Sequence, residues 1–377
     1  PLKALNNDIR RNLTRPLREL EEYFVAADVP FPEIRAMTRS GDTPQSDRRR
    51  MQRHPPEILI TTPESLNLLL SSAGGRSMLS DASTLILDEI HAVVGSKRGT
   101  HLMTAVERLA REAGEFQRVA LSATVRPMDV VGKFVGGFTM AGVGADTTYT
   151  PRPVATIRSD ASKRYDVRVN FPQSANDDRG RDDFWAPLVE EFRAIIDANT
   201  STLLFANSRR LCEKITLLIN ELDDEPVAYS HHGSLSREIR EAVERKLKDG
   251  ELKAIVATSS LEMGIDIGAL DAVVLIQSPS AISSAIQRVG RAGHQVGEVS
   301  KAVLVPTHAR DFIHAAVLAE AIQDQDIEEV RPVRCPLDIL AQIIVSMVGA
   351  ETWDIDDMYA FLRGSYSYHT LPRDAFD

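Results

Sequence analysis

Cysteine is almost missing from this chain. Cys212 and Cys335 are the only two in 377 residues, and their distance in sequence argues against a disulfide framework or a thiolate metal cluster and fits a reducing cytoplasm. Long apolar runs are missing as well. The most hydrophobic stretch, LAQIIVSMVGA at 340–350, is broken by polar residues and falls short of the ~20 residues a membrane span needs, so no membrane partner is expected. Positive charge is in deficit: 44 Lys and Arg face 54 Asp and Glu, a formal net charge of −10. Any grip on nucleic acid must therefore use local basic patches, such as Arg48–Arg50 with Arg53, rather than the field of the whole molecule. The helical zinc pair His-Glu-x-x-His is absent, and so is the phosphate-cradling run G-x-x-x-x-G-K-[ST]. No targeting pattern is visible; the opening PLKALNNDIRRNL, without an initiator Met, reads as internal to a longer protein.

What is present is ordinary globular composition, 43% hydrophobic and 26% charged, at a length that suits two or three domains. Short apolar runs alternate with helical patterns: ILIT (58–61), TLIL (84–87), VALS (119–122), TLLF (202–205), VAYS (227–230), AIVAT (254–258), AVVLI (272–276) and AVLVP (302–306). That alternation is the signature of parallel sheets with crossover helices, and runs without a polar face predict strands buried on both sides. Residues 136–183 are rich in Gly, Thr, Pro and charge without sustained periodicity, and a domain boundary belongs there. After Glu328 the pattern becomes helical. Leu337, Leu340, Ile344 and Met347 are predicted to share one face; Ile355, Met358 and Leu362 share another, behind Asp354 as N-cap.

Three segments carry chemistry. TLIL runs straight into Asp88 and Glu89, at the strand end where ligands of parallel sheets bind. ATSSLEMGIDIG (257–268) leads from a strand into small hydroxyl residues and glycine, which allow close approach to a phosphate. QRVGRAGH (287–294) sets Arg288 and Arg291 one helical turn apart with Gly290 and Gly293 beside them. Together they suggest phosphoryl transfer to water. Asp88 would hold Mg²⁺, Glu89 would position the water, and the two arginines would neutralise the γ-phosphate.

DEIH (88–91), SAT (122–124), ATSSLEMGIDIG and QRVGRAGH resemble motifs II, III, V and VI of superfamily 2 helicases, in matching order. PLKAL (1–5) resembles motif Ia and TTPESL (61–66) motif Ib; LLFANSRRLCE (203–213) and HHGSLSRE (231–238) resemble motif IV and its neighbour. The wording of these segments is similar to the large helicase-related (Lhr) family, across nearly the whole chain. The resemblance implies an α/β fold: a RecA-like parallel-sheet domain over 1–150, truncated at its start, a second over 151–327, and part of a winged helix over 328–377. It implies an ATP- and Mg²⁺-dependent 3′-to-5′ translocase on single-stranded DNA that separates DNA or RNA–DNA duplexes and is tied to DNA repair.

Residue by residue, the resemblance implies nucleotide contacts for His91, Gly264, Asp266 and Gln287, with His91 linking the nucleotide to the SAT segment. It implies strand contacts for Lys3, Thr62, Pro63, Thr124, Ser208, Arg209, Thr258 and Ser259. Thr62 and Pro63 also suit the cap and first turn of an ordinary helix that buries Leu66, Leu69 and Leu70. Trp353 is expected in a core rather than stacked on a base. His294 stands where the wider superfamily often has a third arginine. In the family the phosphate loop lies upstream of PLKAL, so a catalytic motif without its substrate cradle is expected here. A non-catalytic nucleic-acid-binding remnant and an RNA-directed helicase remain open alternatives.

Overall fold

The computed structural model describes residues 2–158, 163–172, 184–221, 224–262, 268, 270–293 and 299–377. Contacts divide the chain into two compact units: Leu2–Ile157 with Glu329–Asp377, and Arg158–Glu328.

In the first unit, β1 (Ala36–Arg39) pairs in parallel with β2 (Ile58–Thr61), β3 (Thr84–Leu87) pairs in parallel with β4 (Gln117–Ala120), and β5 (Phe138–Ala141) forms an antiparallel hairpin with β6 (Thr148–Pro151). Its core lies where the helices Pro63–Leu70, Lys97–Ala113 and Met128–Gly136 converge, with Leu70, Met103, Val106 and Phe134 almost wholly buried. Thr62 caps the first of these helices: its hydroxyl accepts the Ser65 N–H at 3.3 Å, and Pro63 takes the first helical position, where no N–H is needed. Leu66, Leu69 and Leu70 are buried as the pattern requires.

TLIL departs from its expected burial on both sides. Leu87 is buried, but Ile86 is 61% exposed. Successive side chains of a strand point to opposite faces. Leu85 and Leu87 reach the core, while Thr84 and Ile86 face a side that nothing among the described residues covers.

The helical tail packs around its own small core of Leu340, Ile343, Met347, Met358, Phe361, Leu362 and Tyr368. The expected faces are corrected by a notch: Leu337 and Ile355 are 52% and 55% exposed at the first turns of their helices, and Ile343 is buried in place of the half-buried Ile344. Asp354 caps its helix as expected, accepting the N–H groups of Asp356 and Asp357. Trp353 packs beside Phe361, with the Arg111 guanidinium 3.9 Å from its ring centroid, a core-edge position rather than a free stacking platform. This tail is fastened to the rest of its unit by Lys97–Asp338 (2.8 Å), Thr100–Ser367 (3.1 Å), Arg108–Ser346 (3.0 Å) and Phe138 N–H to Gly364 O (2.9 Å).

The second unit is an all-parallel sheet in the order β7-β12-β11-β8-β10-β9: β7 (Arg164–Val169), β8 (Thr202–Ala206), β9 (Ala228–His231), β10 (Ala254–Ala257), β11 (Ala272–Ile276) and β12 (Val299–Val305). The three central strands are buried along their whole length, as uninterrupted apolar runs flanked by helices should be. Against them pack Leu188, Phe192 and Ile196 of the helix Trp185–Asp197 and Cys212, Ile215 and Ile219 of the helix Arg209–Asn220. Both cysteines are free thiols; burial pushes the Cys212 thiol up to about 12, and it donates to the Val256 carbonyl. No helix among the described residues is long and apolar enough to cross a membrane.

Candidate functional site

Asp88 and Glu89 sit just past β3, where the backbone turns sharply. Glu89 has φ of 52°, the left-handed region that a glutamate enters only at a cost of roughly 1–3 kcal/mol. The Asp88 carboxylate secures the turn by accepting the Glu89 N–H at 3.0 Å, and the Ile90 N–H reaches back to the Leu121 carbonyl at 3.0 Å. The result is an exposed Asp88 and a Glu89 carboxylate 3.4 Å from the His91 Nδ1.

His91 is where the two motifs of this unit meet. The Ala123 N–H donates to its Nδ1 at 3.1 Å, and the Ser122 hydroxyl lies 3.4 Å from the same nitrogen. An Nδ1 that accepts leaves the imidazole proton on Nε2. The structure thus brings Asp88, Glu89, His91 and the SAT segment together, with Thr124 exposed at its end. Thr62 and Pro63 stand at the start of a separate helix, and Lys3 lies in the first turn of the helix Leu2–Ala26.

Whether Mg²⁺ fits is decided by the donors. Among the described residues no group of three or more His, Cys, Asp or Glu is placed to hold a metal. One open carboxylate oxygen on Asp88 suits Mg²⁺ all the same, since this ion keeps waters and binds through one or two carboxylates plus substrate phosphates.

In the second unit, Arg288 is the penultimate residue of the helix Ile282–Val289, and Arg291 follows its C-cap Gly290. Both are buried, at 7% and 9% exposure, and both are held by Glu262. Arg288 Nε contacts the Glu262 carboxylate at 3.0 Å and its Nη1 the Asn207 side-chain oxygen at 3.0 Å, above the Phe205 ring; Arg291 Nη2 donates to the Glu262 carbonyl at 2.8 Å. Gln287 is half-buried one position earlier on the same helix. The sequence does not mark Glu262 and Asn207 as residues that act, although both lie inside the motif segments; their pairing with Arg288, 26 and 81 positions away, leaves no local trace.

Ser208 caps the helix Arg209–Asn220, accepting the Leu211 N–H at 3.2 Å, and Arg209 bonds the Ser234 hydroxyl. Thr258 and Ser259 open a short 3₁₀ turn after β10, with Ser259 exposed. Gly264 and Asp266, and also His294, lie outside the described residues.

Comparison with known proteins places these motifs. Three family models cover the chain in order: a DEAD/DEAH box helicase domain over residues 1–131, a helicase conserved C-terminal domain over 187–295, and the winged helix domain of large helicase-related proteins over 320–377. The chain belongs to the large helicase-related family of superfamily 2 helicases. Its fold is accordingly two RecA-like helicase domains with parallel sheets, followed by a winged-helix domain. An Lhr helicase of Mycolicibacterium smegmatis is 40% identical over 411 residues, covering 100% of this chain and 26% of the relative. The ATP-dependent helicase Lhr-Core protein 2 of Thermococcus barophilus is 39% identical over 381 residues, covering 100% of this chain and 43% of that protein. A solved structure of the Mycobacterium smegmatis helicase Lhr bound to single-stranded DNA and AMP-PNP matches with a TM-score of 0.90 and 43% identity, over 100% of this chain and 48% of that one. The chain therefore spans between a quarter and a half of the length of the Lhr proteins it matches.

Proposed function

We propose that the protein carrying this chain is an ATP-driven helicase that moves 3′ to 5′ on single-stranded DNA and opens DNA or RNA–DNA duplexes, in the cytoplasm and in the service of DNA repair. One observation carries the reading: His91 joins the Asp88–Glu89 turn directly to the SAT segment, at 3.1 Å from the Ala123 N–H. Such a joint lets a change at the nucleotide alter a strand-gripping segment of the same domain. Support comes from the 43%-identical Lhr, whose structure holds both a single strand and an ATP analogue.

In this mechanism Asp88 holds Mg²⁺, which when bound neutralises charge on the nucleotide's phosphates. Glu89, held near His91 by its left-handed backbone, orients the attacking water and takes its proton. Arg288 and Arg291, pre-positioned by Glu262 and Asn207, supply positive charge to the γ-phosphate, the role in which one arginine is worth roughly 10³ to 10⁵ in rate. Gly264, Asp266 and Gln287 complete the nucleotide contacts. Lys3, Thr62, Pro63, Thr124, Ser208, Arg209, Thr258 and Ser259 grip phosphates of one strand, through contacts that carry no sequence information.

Strand polarity is read with tailed duplexes. In a longer protein containing this chain, ATP should drive unwinding of duplexes bearing a 3′ single-stranded tail and leave 5′-tailed or blunt duplexes paired. Equal unwinding of 3′- and 5′-tailed substrates would contradict the assigned direction.

A further inference from the structure

The turn between β10 and the 3₁₀ segment Ser259–Leu261 is held from beneath by a buried histidine. His231, 2% exposed at the end of β9, aligns with Ala257 in the parallel register. Its carbonyl accepts the Thr258 N–H at 3.2 Å and the Ser260 hydroxyl at 2.9 Å. Its ring meets the same turn: Nδ1 lies 2.8 Å from the Ser260 Oγ, while Nε2 lies 3.0 Å from the Glu244 carboxylate on the helix Arg237–Lys248. A carboxylate only accepts, so Nε2 carries the ring proton toward Glu244, and the single Ser260 hydroxyl proton is shared between the His231 carbonyl and Nδ1. Ser260 is itself buried, at 8% exposure, with its hydroxyl turned to the His231 carbonyl and ring.

What the lock controls lies on either side of Ser260. Thr258 and Ser259 precede it, on the side we assign to strand phosphates. Glu262 follows it, with its N–H on the Ser259 carbonyl at 3.2 Å and its side chain on Arg288.

We infer that His231, oriented by Glu244, is a positioning residue for the Thr258–Glu262 turn: it presents Thr258 and Ser259 to the backbone of a single strand and holds Glu262 under the arginines. The inference rests on the strand-binding reading of this chain. A hydrogen bond to a phosphate is sensitive to placement within a few tenths of an ångström, and freeing Ser260 lets the whole turn relax.

The test separates the two ring nitrogens. Asparagine places a polar atom near the position of Nδ1, and glutamine near that of Nε2. His231→Asn keeps the Ser260 contact and loses Glu244; His231→Gln does the reverse. Binding of the full 377-residue chain to a fluorescent oligo(dT) strand, by anisotropy below the melting temperature of each variant, should be within about twofold of the unsubstituted chain for His231→Asn and about tenfold weaker for His231→Gln, the size of one lost hydrogen bond. A merely structural histidine would lower the melting temperature in both and leave both affinities alike, which would overturn the inference. Glu244→Ala gives a second reading from the helix side, with Glu244→Gln as its rescue. Without Glu244 the ring can flip and turn a carbon toward Ser260, whereas the amide in His231→Asn is polar at both ends. Affinity should therefore fall several-fold in Glu244→Ala and return in Glu244→Gln, and an unchanged affinity in Glu244→Ala also overturns the inference. No binding by the unsubstituted chain would instead contradict the strand-binding reading, and the inference with it.

Discussion

Glu89→Gln should reduce ATP turnover by about 10³-fold or more, in a longer protein that joins this chain to a phosphate loop, and should leave nucleotide affinity within a fewfold of the original. The amide keeps the size of the side chain and the left-handed turn, whose φ of 52° is set by the backbone and the Asp88 carboxylate. It cannot take the proton of the attacking water, and a positioned general base contributes roughly 10² to 10⁴ in rate, with further loss where it also orients the water. Phosphate and Mg²⁺ contacts lie on other residues in this account, so binding survives. Turnover retained within tenfold would remove Glu89 from the role of base, and loss of nucleotide binding would show that it holds the turn rather than the water.

Glu107→Ala should lower the stability of the first unit by about 3–5 kcal/mol, the cost of leaving buried charge without its counter-ion. Glu107 is 3% exposed on the helix Lys97–Ala113. It takes Arg118 of β4 at 2.8 Å and Arg152, just past β6, at 3.0 Å; the side chains of these arginines are 6% and 11% exposed. The same guanidiniums cap the carbonyls of Val135 and Gly136 at the end of the helix Met128–Gly136, so one carboxylate ties together a helix, a strand, a hairpin and a helix terminus. Burial pushes the Glu107 carboxyl up from its ordinary value against the pull of both guanidiniums, which marks how dry the site is. Glu107→Gln keeps the acceptor and loses the charge, and should fall between the two. The chain's two tryptophans divide the readout: Trp353 belongs to the first unit and Trp185 to the second. In urea, the transition followed by Trp353 in a Trp185→Phe background should shift, while that followed by Trp185 in a Trp353→Phe background should stay. A loss under 1 kcal/mol, or equal shifts in both, would contradict the assignment.

How much of this was legible in the sequence depended on whether the information was local. TLLF, AIVA and AVVLI are apolar without interruption and became the buried centre of the second sheet. β7 (RYDVRV) is hidden because charge on one face of an outer strand masks the period-two pattern, and β1 (AMTR) because four residues with one large apolar side chain carry no period to read. The hairpin β5–β6 lies in the stretch read as a boundary for its Gly and Thr content. TLIL is a strand, as its apolar run predicts, but not one buried on both sides: Ile86 shows that such a run states what a strand can bury, not what covers it. The same division holds at the site. Asp88, Glu89, His91, Arg288 and Arg291 stand in short contiguous patterns. Glu262, Asn207, His231 and Glu244 act through partners 13 to 81 positions away, and only coordinates pair them. Thr62 carried two readings because a helix cap that frees an N-terminus looks the same whether or not a phosphate comes to it.

The most direct measurement is steady-state ATP hydrolysis by a longer protein containing this chain, with and without single-stranded DNA. If the His91 joint between the Asp88–Glu89 turn and the SAT segment couples the strand to the nucleotide, hydrolysis should rise at least about tenfold on adding single-stranded DNA, and His91→Ala should remove most of that rise. An unchanged rate with and without the strand would contradict the account.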